Sequence, residues 1–267
     1  MKNKNLLNYS DYLSLEKVLS SQELMSAKRG SPAHDEMLFI IIHQVYELWF
    51  KQILHELDSV ILIFNQKSVM ESDVSLMVLR LQRIIEIQKI LIDQIRVLET
   101  MTAMDFLEFR DDLFPSSGFQ SAQFRLLENK LGLLKDHRIN YGRHDYTSVI
   151  KEEEKIRVKK TENEKSLFDH LESWLERTPF LSFEGFDFWD QYSGAVRSML
   201  KKEKLVIQDN PNYTKKEIEY HLNEHSNAVL SFEAMIDEQK HNQLITKNKK
   251  RLSHKATQAA LLILLYR

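Results

Sequence analysis

Between Pro32 and Pro115 the chain carries neither proline nor glycine. A β-rich segment of that length needs tight turns, and turns draw heavily on those two residues, so long helices are the economical solution. Across all 267 residues there are only six glycines and four prolines. The expected fold class is therefore all-α, a helical bundle.

The apolar pattern agrees. From about His34 to Phe64, Leu38, Ile42, Val45, Trp49, Ile53, Leu57, Val60 and Phe64 recur at steps of three and four, the helical period. Phe39, His43, Tyr46 and Phe50 form a second set at helical steps, so this helix is expected to be buried on two faces. Ser68 and Glu71 predict a capping box for a second helix carrying Met77, Leu81, Ile84, Gln88, Leu91, Ile95 and Leu98. Thr102 opens a short third helix, Asp105 to Leu113, and Pro115-Ser116-Ser117-Gly118 reads as a turn. Phe124, Leu127, Leu131 and Leu134 mark one side of a further helix.

Lys151 to Lys165 is mostly charge and predicts a solvated helix or a mobile connector. A helix resumes from Ser166 to Arg177 and is stopped by Pro179, and Phe180 to Trp189 is aromatic and less regular. Helical patterning returns from Ser193 to Gln208 and again from Tyr213 onward. No internal repeat or low-complexity linker interrupts the chain, so a single helical domain over 1–267 is expected.

Composition narrows the chemistry. With no cysteine, a disulfide scaffold, a cysteine nucleophile, a thiolate zinc site and cysteine-ligated iron–sulfur clusters are excluded, and a reducing, cytoplasmic setting fits. A net charge of −2 provides no electrostatic case for nucleic acid or an acidic membrane as partner. The N-terminal MKNKNLLNYSDYLSLEK has no long apolar run of the signal-peptide or membrane-spanning kind. Phosphate-loop, dinucleotide and nucleophile-elbow motifs are missing.

Several residues could carry chemistry. His221 and His225 share a helix face, but Leu222 stands where a zinc-protease helix needs glutamate, so a surface pair is expected. Glu238 and His241 make one E-x-x-H, whereas a di-iron bundle needs two. His43 lies between Phe39 and Tyr46 on the two-faced helix, and periodicity alone leaves it open as a core or a catalytic histidine. Phe106 and Arg110 stand four residues apart. Arg110 either pairs with Glu108, Asp111 or Asp112, or clamps a substrate carboxylate.

Two long runs go further: HDEMLFIIIHQVYELWFKQILHELDSV from His34, and LETMTAMDFLEFRDDLFPSSGFQSAQFRLLENKLG from Leu98 to Gly132. Shorter pieces accompany them in order: YSDYLSLEKVLSSQEL from Tyr9, WLERTP from Trp174, FDFW from Phe186 and RLSHKATQAA from Arg251. Together they closely resemble the tryptophan 2,3-dioxygenase family over nearly the whole chain. The resemblance implies the all-α fold of haem-dependent tryptophan and indoleamine dioxygenases. It also implies a haem b cofactor, and oxidative cleavage of the indole of L-tryptophan by O2 to N-formylkynurenine, in the kynurenine route of tryptophan catabolism.

By the same resemblance, His43 matches the distal histidine that hydrogen-bonds the indole N–H. Phe39 and Phe106 match walls of the indole pocket, and Arg110 matches the clamp on the substrate carboxylate. Leu113, Ser117 and Gly118 match the loop beside haem and substrate. Tyr9, Tyr12 and Leu13 match N-terminal residues that reach a neighbouring subunit's pocket, which implies a homotetramer. The family's proximal haem histidine, and a later glycine-rich loop with a substrate-contacting threonine, are expected beyond Arg267, so no metal ligand is assigned within this chain. The apolar run ALLILLYR at its end agrees with a C-terminally incomplete domain. The alternative is a haem-less relative that acts as a non-catalytic binding or oligomerisation protein.

Overall fold

The computed structural model describes residues 7–138, 146–177, 182–183 and 186–265, and the chain divides into two compact units, 1–167 and 168–267. In the first unit three short helices, α1 (Tyr9–Leu13), α2 (Leu15–Leu19) and α3 (Met25–Lys28), precede the long α4 (Glu36–Phe64) and α5 (Glu71–Leu98). Then come α6 (Ala103–Leu107), α7 (Arg110–Leu113), a 3-10 turn at Gly118–Gln120, α8 (Ala122–Leu131) and α9 (Glu152–Glu162).

The core of this unit lies between α4, α5 and α8. Ile53 and Leu57 of α4 meet Ile84, Ile87 and Leu91 of α5 and Leu127 of α8. Polar ties set the register. The Tyr46 hydroxyl donates to the carbonyl of Leu91 at 2.6 Å, and the buried Glu56 carboxylate accepts from Arg83 at 2.6 Å and Gln52 at 2.8 Å. The Gln123 amide donates to the Glu47 carbonyl at 2.9 Å and its carboxylate at 2.7 Å, which fixes α8 across α4. The second face of α4, with Phe39, His43, Tyr46 and Phe50, is half-buried.

Four local expectations change. The N-cap of α5 is Met70, whose N–H donates to Asp73 at 3.4 Å, so Ser68 and Glu71 do not form the capping box. The single helix expected from Asp105 to Leu113 is two helices, broken at Glu108 and Phe109. The Phe109 side chain is fully buried against Phe39 and Phe106, and that anchor turns the backbone out of the helix at φ −128°, ψ −2°. Leu134 lies beyond the end of α8, which stops where Gly132 takes the left-handed conformation at φ 91°. The charged stretch forms α9, but not a fully solvated one. Val158 is completely buried beside Leu126 and Ile150, and Asn129 donates to its carbonyl at 3.0 Å.

In the second unit, α10 (Leu167–Glu176) is followed by a two-residue antiparallel pairing of β1 (Ser182–Phe183) with β2 (Phe186–Asp187). Next come α11 (Phe188–Gln208), α12 (Lys215–Ile236), α13 (Glu238–Thr246) and α14 (His254–Leu265). The described residues contain no other strand, so the fold is all-α apart from this pairing. Pro179 and Phe180 lie outside the described residues. Glu172 and Glu176 accept from the backbone N–H and hydroxyl of Ser253, which seats α14 on α10 over Leu175, Ala256 and Ala259. No described helix is long and apolar enough to cross a membrane.

Two histidines of this unit prove structural. His225 is buried, with Nε2 2.8 Å from the Leu200 carbonyl, so it is not half of a surface pair. His241 is fully buried, with its ring nitrogens against the carbonyls of Ala234 and Leu252. No group of three metal-ligating side chains occurs among the described residues.

Glu36, fully buried at the start of α4, holds the N-terminal segment. It accepts the N–H groups of Met25 at 2.7 Å and Ser26 at 3.0 Å, and also the Ser26 hydroxyl. Burial alone raises its pKa. The Ser26 and Met25 hydrogen bonds and the charge of Arg29 outweigh burial and leave it below the ordinary 4.5. The unfolded chain therefore takes up this proton first as pH falls. The Glu36 contribution should be complete above the ordinary glutamate range and vanish as pH drops through the lowered folded value. In chemical denaturation across pH 3 to 7, Glu36→Gln should flatten that acid loss; an unchanged pH profile would contradict the assignment. Leu57→Ala should lower unfolding free energy by about 2–5 kcal/mol, read from urea midpoints, because the side chain is fully enclosed.

Candidate functional site

The second face of α4 borders two cavities of the first unit. One, of about 600 Å³, is lined by His43, Tyr46, Phe50, Phe119, Phe124 and Leu133, with Arg125 and Arg138 among its polar groups. The other, of about 660 Å³, is lined by Phe39, Phe106, Arg110, Leu113, Ser117 and Gly118 among others. Gly118 belongs to both walls. A Cβ built on it meets nothing within 4 Å, so the space beside it is open.

His43 lines the first cavity and Phe39 the second. Their rings lie 4.1 Å apart, and His43 Nδ1 sits 2.7 Å from the carbonyl oxygen of Phe39, one helical turn back. A carbonyl can only accept, so Nδ1 carries the proton and donates. In the neutral ring Nε2 is then a lone-pair acceptor, and it has no hydrogen-bond partner among the described residues. Phe39 also packs on Phe106 at 5.7 Å and edge-on to Phe109 at 5.6 Å. This group of rings makes the aromatic wall of the second cavity.

Arg110 opens α7 and is exposed. The reading that paired it with Glu108, Asp111 or Asp112 does not hold among the described residues: Arg110 makes no ion pair there, and Asp112 is engaged by Arg29 at 3.0 Å. A guanidinium with no ion-pair partner among the described residues thus stands at the rim of an aromatic cavity. Across the break in the helix, Phe106 and Arg110 still line the same space. The loop after α7 is shaped by Ser117, whose hydroxyl accepts from the Phe119 N–H at 3.3 Å and whose N–H donates to Gln120 at 3.1 Å. Leu113, Ser117 and Gly118 are therefore held together at the cavity wall.

Tyr9, Tyr12 and Leu13 are not brought to these residues. They lie on α1, 73%, 72% and 40% exposed, and line neither cavity.

Sequence reasoning did not single out Arg125 and Arg138. Both are buried, and Arg125 Nε together with Arg138 Nε and Nη1 lacks a hydrogen-bond acceptor among the described residues. Glu128 supports Arg125 at 2.8 Å, but stands 3.8 Å from Arg138, beyond hydrogen-bonding range. Tyr146 stacks under the Arg138 guanidinium at 4.4 Å. Two buried guanidiniums with spare donors against aromatic walls suit a flat apolar ligand that bears carboxylates. The available signal was Arg125 itself, a cation between Phe124 and Leu126 on an otherwise apolar run.

The comparisons fit this geometry. The family profile of tryptophan 2,3-dioxygenase matches residues 2–267. The tryptophan 2,3-dioxygenase of Dictyostelium discoideum is 48% identical over 97% of this chain, which covers 65% of that relative. That of Bdellovibrio bacteriovorus is 46% identical over 98% of this chain and 73% of its own length, and that of Xenopus tropicalis is 48% identical over 99% and 65%. This chain thus spans about two thirds of the length of these relatives. With a profile match over nearly every residue, the chain belongs to the tryptophan 2,3-dioxygenase family.

Proposed function

We propose that this chain supplies the substrate-facing side of a haem-dependent dioxygenase that cleaves the C2–C3 bond of the L-tryptophan indole with O2, giving N-formylkynurenine in tryptophan catabolism. The observation that carries this reading is the pairing of Arg110, without an ion pair among the described residues, with the Phe39–Phe106 wall, next to a histidine whose Nε2 is left as an acceptor.

The residues suit haem b. The cavity beside His43 has aromatic walls, open space at Gly118 and two buried guanidiniums with unused donors. Arg125 and Arg138 would hold the propionate carboxylates, and Phe50, Phe119 and Phe124 would face the ring. Haem, when bound, supplies the iron at which O2 is activated.

The protein's own residues bind and orient. Arg110 takes the substrate carboxylate as a two-point ionic pair, which fixes the amino-acid end. Phe39 and Phe106 enclose the indole and exclude water, which aligns the ring without the entropy loss of free encounter. His43 Nε2 accepts the indole N–H, because the Phe39 carbonyl holds the only imidazole proton on Nδ1. His43 thus positions the ring and need not remove a proton.

Tyr9, Tyr12 and Leu13 act in the pocket of a neighbouring subunit, in keeping with their exposure on α1. Self-association into a homotetramer is supported by exposed apolar stripes. Ile41, Leu48 and Leu62 on α4, and Val78, Ile85 and Ile92 on α5, recur at multiples of seven residues. The setting is cytoplasmic, in line with the absence of cysteine.

Haem-reconstituted protein in a form that carries the proximal histidine, supplied with L-tryptophan and O2, should show a Soret band and form N-formylkynurenine, followed by its near-ultraviolet absorbance. Haem uptake without product would leave a binding protein and refute the enzyme reading. Arg110→Ala should raise KM for tryptophan about ten- to a hundredfold, the equivalent of losing a charge-assisted hydrogen bond of roughly 1.5–3 kcal/mol. An unchanged KM would refute the carboxylate clamp.

A further inference from the structure

The break between α6 and α7 falls between two residues of the proposed site, Phe106 on one side and Arg110 on the other. Four-residue α7 has no stability of its own, so something outside it must set its angle to α6. Phe109 anchors the break from below. From the other side comes Arg29, some 80 residues earlier in the chain. Its Nη2 donates to the carbonyl of Glu108 at 3.0 Å, the C-cap of α6, and lies 3.0 Å from Asp112 Oδ2 on α7. That carboxylate oxygen is buried and has no hydrogen-bond donor aligned on it, so the guanidinium is the charge that compensates it.

Arg29 is itself fixed. It is the C-cap of α3, and α3 is pinned to the first turn of α4 by Ser26 on Glu36, with the Ala33 N–H donating to the Ser26 hydroxyl at 2.9 Å. Phe39 stands one turn further along α4. Adjoining turns of α4 therefore carry the aromatic wall and the anchor for the helix that bears the guanidinium.

We infer that Arg29 is a positioning residue: one guanidinium bridges the end of α6 to α7 and so sets the separation of Phe106 and Arg110 in the second cavity. Without it the half-buried Asp112 is left with a buried, uncompensated carboxylate oxygen. The cheapest relief is for α7 to swing toward water, which displaces Arg110 two residues away. The structural part stands on the geometry alone, and the consequence for tryptophan rests on the function proposed above.

Hydrogen exchange separates the two. In the purified chain, Arg29→Gln should speed exchange of amides 106–116 about tenfold or more and leave α4 and α5 unchanged, because only a local opening is eased. Asp112→Asn breaks the same bridge without leaving a bare charge, so it should speed exchange less, and the double variant should exchange no faster than Arg29→Gln alone. Arg29→Lys keeps the charge but loses the reach to both oxygens, so it should restore protection in part. In the haem-loaded protein, Arg29→Gln should raise KM for tryptophan about three- to tenfold with kcat within about twofold. Unchanged exchange at 106–116, faster exchange throughout the unit, or additive single effects would overturn the latch. Faster exchange with no change in KM would overturn its role toward substrate. If the haem-loaded parent protein that carries the proximal histidine does not turn tryptophan over, the functional reading fails, and exchange still decides the latch.

Discussion

The arrangement depends on how α4 is held. Ile53 and Leu57, in its C-terminal half, are locked into the core against Ile84, Ile87, Leu91 and Leu127. That leaves the N-terminal half free to carry a different face. Phe39, His43, Tyr46 and Phe50 are half-buried there because each packs on neighbours on one side and borders cavity space on the other. A rigid helix places such residues better than a loop, since their separations follow from the helical repeat.

Within that face the bond from His43 Nδ1 to the Phe39 carbonyl does two things. It stops the imidazole from turning about its χ angles, and it decides which nitrogen is the acceptor. The chemistry of the pocket follows from that choice. Arg110 can hold a carboxylate because Asp112 is already taken by Arg29. Arg125 and Arg138 keep spare donors because Glu128 cannot satisfy both. In each place a cation is left available by where the nearby anions are spent.

Much of this was readable from the residues. The turn-free stretch and the three-four spacing led to α4 and α5, with ends close to those observed, because long amphipathic helices reflect local pattern. The failures were tertiary. Nothing in the neighbourhood of Phe109 reveals that its side chain will be swallowed and the helix broken there. No local rule says that Asp112 pairs with Arg29 rather than Arg110, since the partners meet only after α3 docks on α4. His225 and Val158 sit in polar surroundings in sequence yet are buried by neighbours from other helices. The resemblance supplied His43, Phe39, Phe106, Arg110 and the loop through Gly118, which the structure gathers around two adjoining cavities. It passed over Arg138, whose environment exists only when the chain is folded.

The central claim is that His43 presents an unprotonated Nε2 toward the substrate because its proton is held on Nδ1 by the Phe39 carbonyl. Nitrogen-15 NMR of the histidine-labelled protein near neutral pH tests it directly. The account predicts the Nδ1–H tautomer for His43, with an Nε2 resonance in the range of a bare ring nitrogen. A His43 signal showing the proton on Nε2 would contradict it, since that ring could only donate toward the indole N–H.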